Sequence, residues 1–95
     1  MIVEELRKEL ETIVTCLASS GFGVIDPGIV EKLERITISA AELGMKEGTR
    51  LVKNLVDTMK AIHEGTSRVE SGIVRLTAID FYVKKLSSEG KTEDL

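Results

Sequence analysis

Asp26-Pro27-Gly28-Ile29-Val30-Glu31-Lys32-Leu33-Glu34-Arg35-Ile36-Thr37-Ile38-Ser39-Ala40-Ala41-Glu42-Leu43-Gly44 holds a helix start, a helix body and a helix stop in order. Asp26 is an N-cap type whose carboxylate can accept an orphan N–H of the first turn. Pro27 falls at the first helical position, where its missing N–H costs nothing. Ile29, Leu33, Ile36, Ala40 and Leu43 recur at intervals of three and four, one buried stripe of an amphipathic helix. Gly44 ends it. A second set, Val30, Glu34, Thr37, Ile38 and Ala41, lies on a face roughly 100° from the stripe's centre, with Ile38 nearly opposite the core.

The same spacing extends outward in both directions. Residues 2–19 read as a first helix with Val3, Leu6, Leu10, Ile13, Val14 and Leu17 inside, and with Glu4 and Lys8 placed as an i,i+4 pair. Gly21 suits the residue after that helix, where a positive φ is free of cost for glycine. Phe22, Val24 and Ile25 are expected to fold back and plug one end of the core. A third helix over residues 46–63 would bury Leu51, Val52, Leu55, Met59 and Ile62, with Gly65 closing it. Ser67 and Glu70 have the spacing of a capping box at the start of a fourth helix. Its stripe reads Val69, Ile73, Leu76, Ile79, Val83 and Leu86, fading at Ser87-Ser88-Glu89-Gly90. Four amphipathic segments with short connections predict an all-α, antiparallel up-down-up-down four-helix bundle. Residues 1–90 form a single domain in this reading, and residues 91–95 a flexible C-terminal tail.

Composition narrows the function. The 95 residues carry a net charge of −3, with 13 Lys and Arg spread through every segment and only three aromatic residues, Phe22, Phe81 and Tyr82. A nucleic-acid partner would call for a cationic stripe and base-stacking aromatics, and neither is present. No apolar run approaches the roughly 20 residues needed to span a bilayer, and no signal peptide opens the chain. One cysteine, Cys16, excludes an internal disulfide. These features predict a cytoplasmic protein with no membrane partner.

Two helices carry more apolar surface than a single core consumes. On the second these residues are Val30, Ile38 and Ala41, set among Glu34 and Thr37. On the fourth they are Val74, Ala78 and Phe81, nearly opposite the expected core stripe. Exposed apolar clusters of several hundred Å² mark contacts, so these eight residues are the candidate partner-binding surface.

Glu34-Arg35-Ile36-Thr37-Ile38-Ser39-Ala40-Ala41-Glu42-Leu43-Gly44 resembles the signature of histidine-phosphotransfer (Hpt) domains, H-x-L-K-G-[SA]-A-x-x-L-G on the second helix of a four-helix bundle. Ile36, Ser39, Ala40, Leu43 and Gly44 match it in type and spacing. Leu51, Leu55 and Met59 look like that family's next core helix, and Tyr82-Val83-Lys84-Lys85-Leu86 like its last, so the resemblance covers residues 27–86. The departures fall on the chemistry. Glu34 stands where the family has its phosphorylated histidine, Thr37 where it has lysine, and Ile38 where it has glycine. A neutral imidazole nitrogen is the nucleophile that makes a phosphoramidate near pH 7; a glutamate could make only an acyl phosphate. The resemblance therefore implies a relative that binds a response-regulator receiver or a kinase without relaying phosphate.

Other site chemistries find little support in the residue pattern. His63 ends the third helix, where its cation would favour the C-terminal dipole, and it lacks a carboxylate three residues before it, so no metal site is expected. Gly21 and Gly23 lack the Gly-Lys-Ser/Thr of a phosphate loop. No cation neighbours Cys16 to activate it as a thiolate. Arg7, Arg35, Arg50, Arg68 and Arg75 sit off the core stripes. Asp80 lies close to one, one turn before Lys84, a position that suits a boundary ion pair. The sequence thus predicts no catalytic residue, metal or cofactor. It predicts a non-enzymatic binding or adaptor module of Hpt-like build, or alternatively a homodimeric helical protein unrelated to phosphorelay.

Overall fold

The computed structural model describes residues 2–93, and for residues 88–93 the backbone alone. Four helices account for nearly all of it: α1 (Val3–Ser20), α2 (Pro27–Glu42), α3 (Lys46–Glu64) and α4 (Val69–Glu93). Among the described residues there is no strand. Helix α1 packs against α2 and α4, and α3 against the same two, so the helices form a closed ring in which the backbones of α2 and α4 lie diagonally across from each other. The α2–α3 and α3–α4 contacts are the most extensive and α1–α2 the least.

Local chemistry sets the helix ends. Asp26 caps α2 as its sequence predicts, its Oδ1 accepting the Gly28 N–H at 2.8 Å, with Pro27 at the first helical position. Gly21 follows α1 with φ 75° and ψ −170°, a conformation essentially confined to glycine, and its N–H donates to the Leu17 carbonyl. That turn sends Phe22 into the core, where it is 2 % exposed, while Val24 stays 89 % exposed. The expected plug is therefore Phe22 with a half-buried Ile25, and Val24 lies outside it. At α4 the capping box does not form. The Ser71 N–H bonds the Arg68 carbonyl, so the helix starts one residue later than the Ser67–Glu70 spacing requires. Backbone helix continues through Ser87–Gly90, where fading was expected, as far as Glu93. Residues 94–95 of the expected tail lie outside the described residues.

The core is almost wholly aliphatic. Leu6, Leu10, Ile13 and Leu17 of α1 meet Leu33, Ile36 and Ala40 of α2, Val52, Leu55, Val56 and Met59 of α3, and Leu76, Ile79 and Val83 of α4. Each large side chain so buried stabilises the fold by about 1.5–3 kcal/mol relative to exposure. The stripes of α1, α2 and α3 lie close to where their spacing puts them, although Val3 is exposed and Val56 joins the core.

Helix α4 departs from its expected stripe. Val69 is 38 % and Ile73 53 % exposed, and the first buried position is Gly72. A side chain there has no room: a Cβ on Gly72 would lie 2.9 Å from the Phe22 ring and 3.1 Å from Ile62 Cδ1. Buried Gly48 plays the same part in α3, beneath the Tyr82 ring. The close approach turns α4 so that Gly72, Leu76, Ile79 and Val83 face inward. Ile73 is left outside.

Candidate interaction surfaces

Polar chemistry in this bundle is confined to its surface. Among the described residues no polar or charged side chain is buried, and none of the His, Cys, Asp and Glu side chains gather in threes in a metal-binding arrangement. The hydroxyls of Thr12, Thr15, Thr37, Thr49 and Thr77 each donate to the carbonyl four residues earlier, a bond that engages them within their own helices. Cys16 is exposed on α1, outside the core it flanks. Asp80 and Lys84 make the expected ion pair at 3.0 Å. Glu4 pairs with Arg7 instead of Lys8, and Arg7 also holds Glu11 at 2.7 Å, because the guanidinium fork serves two carboxylates at once. Hydrogen bonding from Arg7, followed by the charges of Arg7 and Lys8, holds the Glu4 carboxyl below its ordinary range.

Of the α2 residues singled out by sequence, Val30, Glu34 and Ala41 border α3, and the five differ in how much they offer a partner. Val30 is half-buried against the core and lines a groove with Ile25, Pro27, Lys60 and His63. Glu34 is exposed, and its Oε1 lies 3.4 Å from Lys60 Nζ on α3. Thr37 is half-buried, its hydroxyl bonded to the Leu33 carbonyl at 2.9 Å. Ala41 lines a shallow groove with Met45, Thr49 and the cations Lys46, Arg50 and Lys53 of α3. Ile38 stands clear of all of these at 61 % exposure. The α2 face available to a partner is thus Ile38 flanked by Glu34 and Ala41, with Val30 and Thr37 half-buried.

On α4, Val74 and Phe81 are 65 % and 70 % exposed, and Ala78 is half-buried. Ile73, at an expected core position, joins them. Since α2 and α4 lie on a diagonal of the ring, the eight predicted residues form two separate surfaces.

A third surface was not legible from helical spacing. Lys8 of α1 and Lys32 and Arg35 of α2 line a groove of about 430 Å³ floored by Ile13 and Ile36. Only the pairing of α1 with α2 brings these cations together, along with Glu9. A scan within single helices could not find them.

Comparisons with protein-family models, with curated proteins and with solved structures give no match to this chain.

Proposed function

We propose that this chain is a non-enzymatic protein-binding module of the cytoplasm, an Hpt-like bundle that docks a receiver or kinase domain on α2 without carrying phosphate. The observation that carries this reading is Ile38. It is a large apolar side chain, 61 % exposed, on a helix whose buried face is already complete with Leu33, Ile36 and Ala40. The family likeness carries an antiparallel up-down-up-down arrangement, and two contacts support it. The start of α2 shares a groove with the end of α3, and Gly48 near the start of α3 meets Tyr82 late in α4.

Glu34 occupies the position of the family's phosphoacceptor and is paired with Lys60. With that carboxylate engaged and no imidazole on α2, the surface serves recognition and not group transfer. Binding to a receiver or histidine-kinase domain of the same cell, measured by calorimetry, tests this. Ile38→Asp should weaken that binding at least tenfold with helicity unchanged. Acid-labile label on His63 after incubation with acetyl phosphate would overturn the non-relay reading.

A second reading is favoured by α4. Its outer side carries Ile73, Val74 and Phe81, all more than half exposed, and an apolar cluster of this kind on an outer helix face marks a contact. In this reading the chain is a homodimeric helical protein.

A further inference from the structure

We infer that α4 pairs with α4 of a second copy in antiparallel orientation, across a two-fold axis passing between Thr77 and Ala78; this rests on the homodimer reading and specifies its interface. Three observations on one helix carry it. Glu70, Val74, Thr77, Phe81 and Lys84 are all exposed and recur at intervals of four, three, four and three residues, the repeat that keeps one seam of a helix against a partner helix. That seam has an apolar middle, Val74 and Phe81 with Ile73 beside them, and an aromatic ring such as Phe81 alone carries about 150–250 Å² of surface.

The third observation is charge. The N-terminal end of the seam is acidic at Glu70 and the C-terminal end basic at Lys84 and Lys85. Lys84 is held by Asp80 of its own helix, whereas Glu70 and Lys85 make no ion pair among the described side chains. The proposed axis sets Val74 opposite Phe81 of the second copy, Thr77 opposite its Ala78, and Glu70 opposite its Lys85. A parallel pairing would set Glu70 against Glu70 and Lys85 against Lys85. Like charges facing each other oppose that orientation. The surface is therefore self-complementary in one orientation, as a two-fold interface must be.

Sedimentation equilibrium on the full chain tests both levels. Wild-type protein should show twice the 10.4 kDa chain mass; a single-chain mass at high micromolar concentration would overturn the homodimer reading and the seam together. Phe81→Asp should give the single-chain mass with helicity by circular dichroism unchanged, since the residue contributes to no core. A Phe81→Asp protein that remains a dimer would overturn the seam and leave the homodimer reading intact. Glu70→Lys and Lys85→Glu should each raise the dimer dissociation constant about tenfold, and the double variant should return it to near the wild-type value. Weakening in each single variant without recovery in the double would overturn the antiparallel register.

Discussion

A methyl group at Gly72 would meet two ring atoms of Phe22 at 2.9 Å, and Phe22 is 2 % exposed with nowhere to retreat. Replacing a mid-helix glycine by alanine gains about 1 kcal/mol in helix propensity. Overpacking a core costs about 1–3 kcal/mol. At a site this tightly enclosed the collision outweighs the gain, so Gly72→Ala should lower stability by up to about 2 kcal/mol in urea unfolding. Gly48→Ala meets a similar obstacle. Its new Cβ would lie 2.8 Å from Tyr82 Oη and 3.1 Å from two atoms of that ring, which is half-buried where Phe22 is fully buried. A loss smaller than that of Gly72→Ala is expected there. A different single-residue effect belongs to Glu4, whose carboxyl is held low first of all by its hydrogen bond from Arg7. A depressed folded-state value means that this contribution is present above the unfolded carboxylate range and is lost as pH falls through the lower folded value. In an NMR titration Glu4 should ionise below the ordinary glutamate range, and Arg7→Gln should raise its midpoint.

Among the elements, α2 was the most legible and α4 the least. The signals in α2 agree with one another: Asp26 caps, Pro27 starts, and the stripe closes at Leu43-Gly44, so local and tertiary preferences coincide. In α4 they compete. The largest apolar residues at helical spacing include Val69 and Ile73, but the position nearest its neighbours is held by a glycine, which a search for large side chains passes over. Packing distance, which no single helix encodes, chose the buried side. The cationic groove between α1 and α2 was hidden for a related reason, because its lysines and arginine come from two helices. A pair of substitutions measures the rotation of α4 directly. Ile79→Ala, at a fully buried position, should cost about 2–5 kcal/mol. Ile73→Ala, at 53 % exposure, should change the stability of the isolated chain by about 0.5 kcal/mol or less, measured in the monomeric Phe81→Asp background.

At the scale of the whole molecule, the ring of helices keeps its two apolar surfaces apart, because α2 and α4 sit diagonally across the bundle. A dimer closed through α4 therefore leaves Ile38 and its surroundings free on both copies, and the two proposed roles do not compete for one face. Such a dimer couples folding to association, since each chain that folds adds to the population able to pair. A tenfold rise in concentration then favours the dimer by about 1.4 kcal/mol, or about half that per chain. For a domain of this size, where 1 kcal/mol moves the midpoint by about 4–8 °C, the thermal midpoint should climb by about 3–6 °C per tenfold increase in protein. Phe81→Asp should flatten that dependence. Ile38→Asp should leave it intact, because the side chain it replaces lies on the helix diagonally opposite. Equal flattening by both variants would mean that the outer faces of α2 and α4 act as one surface, which the separation of the two helices in the ring argues against.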